Sequence, residues 1–424
     1  MVMNLDLTSM NTEESNKMKP YVIKKILKKR KNPFYLFDRQ SFISNYENLE
    51  NTIKKVYPNY KISYSYKTNY VPDICSLVKK LGGYAEVVSD MEYILATKLG
   101  YKPFEIVYNG PAKEEFLKKQ VLNNGIVNID NLDELKKIIS FATKYKDRAF
   151  DIGLRLNLDI NNTFISRFGF ELDGDELIEA LNMINRSNLR LVGFHCHISR
   201  SRSLDAWSKR AKFMLWAADK YIAGTPKYLN FGGGMFADLD DVLKSQFSDV
   251  PSYEDYANTV FAPIAEHYKQ IPMSQKPIVF TEPGGTLISR YICFVTKVIN
   301  IRNIRGKYYA TTNGSYLNLG EVCTMKKLPI IIVEKKKSQN RKRYENIDIV
   351  GYTCLEQDVL YHDYCGELEV GDWLCFENVG GYSIVSKPQF IHPNVALYSY
   401  DNQSITTSMR DETFDDVFAK FNVK

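Results

Sequence analysis

The chain has 424 residues, enough for two ordinary domains or for one large barrel with an appended domain. Its 44% hydrophobic and 25% charged residues are typical of a globular protein, and no apolar run approaches membrane-spanning length, so we expect no membrane role. The net charge of +6, from 56 basic and 50 acidic residues spread along the chain, argues against nucleic-acid binding and suits an anionic small-molecule ligand.

Residues 1–19 are polar, mixed in charge and poor in aromatic residues, which predicts a disordered or loosely attached extension. The run that follows at residues 33–38, PFYLFD, is rich in β-forming side chains. It precedes the first alternation of strands and helices. We therefore expect residues 20–39 to pair with a β domain formed later in the chain.

Residues 40–289 alternate short β-rich runs with segments of helical spacing, such as residues 131–139. Eight strands separated by helices in a segment of this length predict a (β/α)₈ barrel. The predicted strands are residues 61–66, 84–88, 105–108, 126–129, 151–156, 191–196, 227–231 and 278–281.

From residue 290 to residue 424 the pattern changes to Tyr-, Val- and Ile-rich runs punctuated by Gly and Asn, which predicts an antiparallel β domain. Its basic segment 334–343 lacks interleaved aromatic residues and is interpreted as a solvated hairpin tip. The seven cysteines are odd in number and lack metal-type spacing. No apolar leader precedes them, so we expect a reducing, cytoplasmic location.

Catalytic residues of such barrels gather where the strands end, at the carboxyl face. The first strand ends in SYKTN, residues 65–69, which puts the amine of Lys67 at the mouth of the barrel. A lysine in that position can form a Schiff base with an aldehyde cofactor. Taken alone, Lys67 would more often be an ordinary surface lysine.

The seventh and eighth strands end in residues suited to a phosphorylated ring. Gly232, Gly233 and Gly234 let the backbone approach a phosphate closely, and barrel phosphate sites commonly follow these two strands. Glu282, in the segment that also contains Gly284, could hydrogen-bond a protonated pyridine nitrogen. Such a ring accepts electrons from a carbanion, as decarboxylation requires.

The sixth strand ends in HCHISR, residues 195–200. His195 and His197 share one face of a strand and would suit a metal, although no third ligand stands out nearby. The flat ring of His197 would fit the face of a cofactor equally well.

Two segments of the β domain could contribute polar groups. Cys354, Glu356 and Asp358 offer a thiol and carboxylates that could transfer protons or bind an amine. Tyr382 offers a phenol that could reach a phosphate oxygen.

In combination, these motifs resemble the alanine-racemase-fold (fold type III, group IV) pyridoxal-phosphate decarboxylases of diaminopimelate, ornithine and arginine, over residues 32–394. The resemblance implies a decarboxylase of an amino acid or amino-acid conjugate, with pyridoxal 5'-phosphate as cofactor and head-to-tail homodimers sharing their active sites. It implies that Lys67 carries the cofactor and that the ring of His197 stacks on it. The three glycines and Tyr382 would contact the phosphate, and Glu282 would contact the pyridine nitrogen. Cys354 and Asp358 would be contributed by the dimer partner.

The departures from the family pattern fall on substrate recognition. Family members usually have arginine where this chain has Gly285, and Arg200, in place of a small serine, could replace that guanidinium. Leu355 follows the thiol where an acidic residue is often found, and Glu356 stands one place further along. The Arg-Pro element of diaminopimelate decarboxylases is absent from residues 319–325. A modified or conjugated amino acid is therefore an alternative substrate.

Three other functions remain open. A racemase of the same fold would use the same lysine, but that branch has arginine rather than glutamate at the pyridine nitrogen. A non-catalytic pyridoxal-phosphate-binding protein would need neither the β domain nor Cys354. A metal-dependent barrel hydrolase would be built around His195 and His197.

Overall fold

The structure, a computed structural model, describes residues 3–4, 12–161, 165–334 and 341–422. It divides into two compact units. The barrel unit comprises Asn45–Ala237 and Asp249–Thr286, and the β unit comprises Met1–Ser44, Asp238–Ser248 and Leu287–Lys424. The β unit thus includes Asp238–Ser248, a segment inside the range expected for the barrel.

The barrel unit contains a closed parallel sheet of eight strands, as predicted. Each strand pairs with its neighbour in chain order, and the eighth pairs with the first. In chain order the strands are Tyr60–Ser65, Tyr84–Val87, Ile106–Tyr108, Ile126–Ile129, Phe150–Asn157, Leu189–His195, Tyr228–Asn230 and Ile278–Thr281. Their ends lie within two residues of the predicted ones. The two-residue strand Phe170–Glu171, which was not predicted, pairs with the fifth strand.

The barrel strands are largely buried on both faces because helices cover the outside and side chains fill the inside. The third strand, for example, is buried at every residue. The helix Leu132–Ala142 begins where its spacing predicts, and the Asn131 side chain caps it by accepting from the N–H of Glu134. The other helices in or entering this unit are Arg39–Val56, Pro72–Lys80, Asp90–Lys98, Glu115–Leu122, Asp175–Asn185, Leu204–Tyr221, Tyr253–Tyr256, Ala262–His267 and Gly285–Ile288, with a π-helical turn at Ala257–Phe261 and 3₁₀ turns at Tyr66–Thr68, Pro103–Glu105 and Met273–Gln275.

The β unit is built on a sheet that is largely antiparallel, as predicted. Its strands are Met3–Asn4, Phe34–Asp38, Ile292–Ile304, Lys307–Thr312, Ile330–Val333, Arg343–Val350, Val359–Glu367, Trp373–Phe376, Leu397–Tyr400 and Ser404–Met409. The early strand Phe34–Asp38 joins this sheet as expected, between Ile292–Ile304 and Leu397–Tyr400. Two pairs are parallel: Phe34–Asp38 with Leu397–Tyr400, and Lys307–Thr312 with Arg343–Val350.

The expectation of a loose extension over residues 1–19 is not met at Met18, which is buried. A helix spans Thr12–Leu27, and Met18, Val22, Ile23 and Ile26 lie buried in the core of the β unit. These apolar residues follow helical spacing, so the helix is held by one buried face despite its lysine-rich sequence. Residues 1–2 and 5–11 lie outside the described residues.

The remaining helical segments of the β unit are short: Asp241–Lys244, Val322–Met325 and Phe414–Phe418, with 3₁₀ turns at Ser289–Tyr291 and Tyr316–Asn318. The expected hairpin around the basic segment 334–343 is not formed by its flanking strands. Ile330–Val333 pairs with Trp373–Phe376, whereas Arg343–Val350 pairs with its own two neighbours, so the segment connects separate strand pairs. Residues 335–340 themselves lie outside the described part of the chain.

Of the helices in the described ranges, none combines the length and the apolar character needed to cross a bilayer.

Candidate active site

Lys67 lies in the 3₁₀ turn that follows the first barrel strand. Its Nζ donates to Oε2 of Glu86 at 2.6 Å, and about a third of its side chain is exposed. Glu86, on the second strand, is buried and also accepts from Ser65 Oγ at 2.6 Å and from Asn109 Nδ2 at 3.1 Å. The amine is thereby held at the strand ends by a buried carboxylate while it stays accessible from outside.

Glu282, directly after the eighth strand, is buried among polar donors. Its Oε1 accepts from Asn109 Nδ2 at 2.6 Å and from Asn230 Nδ2 at 2.7 Å. His195 Nε2 lies 3.2 Å from Oε1 and 3.3 Å from Oε2. Burial opposes ionisation, but the charge and hydrogen bond of His195 and the positive charge of Lys67 outweigh it and hold the pKa of Glu282 well below its usual range.

Asn109 joins the two carboxylates, because its side-chain amide donates to both Glu86 and Glu282. Its own carbonyl oxygen accepts from Asn128 Nδ2 at 2.8 Å. The Lys67 amine and the Glu282 carboxylate therefore belong to one hydrogen-bond network across neighbouring strands. A buried network satisfied in this way is rigid.

His197 follows the sixth strand, and its ring is fixed by the glycine segment. The N–H of Gly233 donates to Nδ1 of His197 at 3.1 Å, so in the neutral ring Nε2 carries the proton. Desolvation, together with the positive charge of Lys67, lowers the pKa of His197 well below its ordinary value of 6.5. The structure thus presents a neutral, oriented imidazole beside the glycines.

The glycines are required by close contacts with neighbouring strand ends. A Cβ at Gly232 would lie 2.3 Å from the carbonyl oxygen of Cys196, and one at Gly233 would lie 2.5 Å from that of Glu282. Gly232 and Gly234 have φ of +66° and +106°, which glycine adopts readily. The segment therefore packs against the ends of the sixth and eighth strands.

The N–H groups of Gly232 and Gly233 donate to Asn230 Oδ1 and His197 Nδ1 respectively. Within the described ranges, the N–H of Gly234 makes no hydrogen bond. It is therefore the glycine donor left for an anion.

Gly284 brings the eighth strand end against the lysine turn. A Cβ there would lie 2.0 Å from Oγ1 of Thr68, the residue after Lys67. Since no larger residue fits without moving Thr68, Gly284 sets the separation between the ends of the first and eighth strands.

The barrel residues fit pyridoxal phosphate. An ionised carboxylate has about four acceptor positions, and Oε2 of Glu282 accepts only from His195 within the described ranges, which leaves room for a protonated ring nitrogen. Lys67 Nζ suits the aldehyde, and the N–H of Gly234 suits the phosphate. The donors and acceptors thus match the three functional ends of the cofactor.

Arg200 follows the sixth strand in a left-handed conformation, with φ of +61°, and its side chain is exposed.

The Nε2 atom of His195 contacts the Glu282 carboxylate rather than other metal-ligating side chains. In the described part of the chain, no group of three or more His, Cys, Asp or Glu side chains is arranged to hold a metal.

The predicted site residues of the β unit lie in its loops. Cys354 and Glu356 are exposed. Tyr382 is 48% exposed and has φ of +57°, an uncommon conformation for a bulky side chain.

Asp358, in contrast, is buried and accepts from Ser315 Oγ at 3.0 Å, Tyr316 N at 2.8 Å and Thr353 N at 3.1 Å. These bonds favour an anchoring role for Asp358, holding the loop that carries Cys354.

Sequence reasoning missed Glu86, Asn109, Asn230 and the buried Arg210. The first three are polar residues within or directly after apolar strands, which was the available signal. Arg210 lies on the otherwise apolar face of a helix. Glu86, Asn109 and Arg210 are single residues without a motif around them, whereas Asn230 stands two residues before Gly232.

The fold and the site define a barrel enzyme of the pyridoxal-dependent class. Residues 44–289 match the family described as pyridoxal-dependent decarboxylase, pyridoxal binding domain. The match covers more than half of the chain, so the chain belongs to this family. It is an enzyme, a carboxy-lyase acting on an amino acid, and its cofactor is pyridoxal phosphate.

Curated relatives span nearly the whole chain. It is 26% identical to the probable chloroplastic diaminopimelate decarboxylase of Oryza sativa over 92% of this chain and 79% of the relative, and 25% identical to the diaminopimelate decarboxylase of Aquifex aeolicus over 90% of each.

Solved structures share the fold. The diaminopimelate decarboxylase of M. jannaschii superposes with a TM-score of 0.81 at 21% identity, covering 94% of each chain. The arginine decarboxylase of Paramecium bursaria Chlorella virus has a TM-score of 0.74 at 21% identity, covering 90% of this chain and all of the other.

Proposed function

We propose that the chain decarboxylates an amino acid of the diaminopimelate or ornithine type, with the cofactor held on Lys67. The observation that carries this proposal is the buried, ionised Glu282, joined through Asn109 and Glu86 to the Lys67 amine. Pyridoxal phosphate, when bound, would supply an aldehyde that captures the substrate amine and a ring that accepts the electrons left when carbon dioxide departs.

Glu282 would hold a proton on the ring nitrogen, because its pKa lies low enough to keep it anionic throughout the physiological range. Asn109, Asn230 and His195 would keep that carboxylate in place and deprotonated. The neutral ring of His197 would pack on one face of the cofactor, since Gly233 fixes its orientation.

Lys67 Nζ would bind the aldehyde carbon and be released when the substrate amine replaces it. Glu86 Oε2 lies 2.6 Å from Nζ and would orient the amine in both states. Ser65 Oγ holds the same carboxylate oxygen, so the carboxylate stays aimed at the lysine turn.

The exposed Cys354 would return a proton from Sγ to the substrate Cα, and Tyr382 would contact the phosphate. By the family resemblance these groups come from the partner in a head-to-tail homodimer. Asp358 supports the arrangement through the Thr353 N–H, one residue before the thiol. The exposed Glu356 is then the nearby carboxylate available to a substrate amine.

The names of the curated relatives favour diaminopimelate as substrate. Gly285 and the absent Arg-Pro element keep a conjugated or modified amino acid as an alternative. A racemase and a non-catalytic binding protein are disfavoured, because a carboxylate at Glu282 strengthens the electron-accepting ring and Cys354 provides a proton donor.

A carbon dioxide release screen with added cofactor tests the proposal. The substrates are ornithine, lysine, arginine, diaminopimelate, carboxyspermidines and citryl-amino-acid conjugates, with Lys67→Ala as the inactive control. Release from one class by the wild type alone is expected. A wild type that binds the cofactor but racemises a single-enantiomer substrate, or turns over none of the set, would contradict the proposal.

A further inference from the structure

Arg210 is a fully buried arginine behind the glycine segment, on the helix Leu204–Tyr221. One guanidinium nitrogen donates to the carbonyl oxygens of Phe231 at 2.7 Å and Gly233 at 3.0 Å. That nitrogen is Nη1; Nη2 donates to the carbonyl of Ile198 at 3.4 Å, and Nε has no hydrogen-bond partner within the described ranges. The guanidinium carbon lies 4.2 Å from the ring centroid of Trp207. Arg210 therefore fixes the segments that follow the sixth and seventh strands.

The positive charge of Arg210 has no contacting carboxylate within the described ranges. Its acceptors are main-chain oxygens, and Glu282 acts on it only at a distance. Burial lowers the pKa of Arg210, but an arginine stays charged in proteins. A buried charge that lacks an ion pair is costly unless an anion compensates it.

The hydrogen bond from Arg210 to the carbonyl of Gly233 fixes the direction of the N–H of Gly234. The peptide bonds of the described residues are trans, and in a trans peptide the C=O and the following N–H point in opposite directions. Because the carbonyl of Gly233 points at Arg210, the N–H of Gly234 points away from it. A donor on the carbonyl also polarises the peptide and strengthens its N–H.

The hydrogen bond from Arg210 to the carbonyl of Phe231 connects Arg210 indirectly to the Glu282 carboxylate. The carbonyl of Phe231 accepts from Arg210, and the N–H of the same peptide, on Gly232, donates to Asn230 Oδ1. Asn230 in turn donates to Glu282. Arg210 thus orients two groups. One is the peptide between Gly233 and Gly234, whose N–H makes no hydrogen bond within the described ranges. The other is the Asn230 amide, which donates to Glu282.

We infer that Arg210 is a positioning residue for a phosphate monoester dianion: it aims and polarises the N–H of Gly234 and sets a buried positive charge behind it. The inference rests on the proposed function, since the dianion is that of pyridoxal phosphate.

The test compares two ligands that differ only in the phosphate. Apoprotein is titrated with pyridoxal phosphate and with pyridoxal, and each dissociation constant is measured by absorbance and intrinsic fluorescence. Arg210→Met should weaken pyridoxal phosphate binding about 10- to 100-fold, as for loss of one charge-assisted contact. Pyridoxal binding should change by less than about threefold. Arg210→Lys, which keeps the charge, should restore part of the preference for the phosphate.

The matched control is Arg148→Met. Arg148 lies 4.7 Å from the Phe150 ring and donates to the carbonyl of Leu122, but it precedes the fifth strand and so lies at the opposite end of the barrel. It should leave both dissociation constants unchanged. Arg210→Gln, which keeps an amide donor without the charge, is measured in the same way should the methionine variant fail to fold.

An unchanged ratio of the two dissociation constants in a folded Arg210→Met or Arg210→Gln variant would overturn the inference. It would reduce Arg210 to a structural tie between two loops. A wild type that takes up neither ligand would instead contradict the proposed function, so the two failures are distinguishable.

Discussion

Lys67 Nζ and Glu86 Oε2 lie 2.6 Å apart at the ends of the first two barrel strands. The carboxylate is buried, whereas about a third of the lysine side chain is exposed. Glu86 therefore lies beneath Lys67 as a fixed acceptor, and its other partners Ser65 and Asn109 tie it to the network that reaches Glu282. Loss of the Glu86 carboxylate is therefore expected to lower the stability of the folded barrel and to release the Lys67 amine from its position.

Replacing Glu86 by Ala should destabilise the apoprotein by about 2–4 kcal/mol, because three donors lose a buried acceptor. Chemical denaturation of the apoprotein measures this. Glu266→Gln is the control, since Glu266 pairs with Lys269 and both side chains are exposed, a contact worth only about 0.2–1 kcal/mol. Equal losses in the two variants would show that the Glu86 network has no special role in stability.

Glu282→Gln should lower turnover about 10²- to 10³-fold at saturating cofactor, because the amide cannot hold a proton on the ring nitrogen. The glutamine keeps an acceptor for Asn109 and Asn230, so cofactor uptake should persist. Turnover and cofactor absorbance are measured on the same sample. Full turnover with bound cofactor would remove Glu282 from the proposed mechanism.

A shared active site predicts complementation between subunits. Lys67→Ala and Cys354→Ala should each be nearly inactive alone, whereas a mixed population exchanged through dissociation should regain up to about a quarter of the activity, because some heterodimers carry one intact site. Carbon dioxide release from the mixture checks this. Recovery that stays at zero despite demonstrated subunit exchange would argue against shared sites.

Glu92 should make stability pH-dependent. It is buried, and that burial raises its pKa from 4.5 to about 7, against the opposing hydrogen bond from the Val88 N–H. The folded state therefore binds a proton that the unfolded state releases between those values, and stability should fall as pH rises through this window and level off above it. At 1.36 kcal/mol per pKa unit, the loss is of order 1–3 kcal/mol.

Glu92→Gln should abolish that part of the pH dependence, as measured by denaturation at about pH 5 and about pH 8. Glu179→Gln, at an exposed position of the helix Asp175–Asn185, is the control and should keep the wild-type slope. If stability changes with pH in Glu92→Gln as it does in the wild type, another group causes the loss of stability in this pH range.

The barrel was predictable because its strands are short, apolar and separated by helical spacing. The predicted and observed bounds of the eight strands agree within two residues, and the polar residues at their ends include Lys67, His197 and Glu282. The pairing of Phe34–Asp38 with the later sheet was also predicted, since an isolated β run needs a partner.

Other features depend on contacts between distant segments. The parallel pairing of Phe34–Asp38 with Leu397–Tyr400 leaves no local pattern in either strand. The helix Thr12–Leu27 was missed because polar residues and Pro20 hide the spacing of its buried face. Arg210 is one charged residue in a helix, and only the packed structure brings it to the carbonyl of Gly233.

The central claim is that Lys67 carries the cofactor. Holoprotein is reduced with borohydride, digested and mapped by mass spectrometry, with Lys67→Ala treated in parallel. The account predicts a stable cofactor adduct on the peptide that contains Lys67 and none in the variant. An adduct on a different lysine, or an unmodified wild type that had taken up the cofactor, would contradict it.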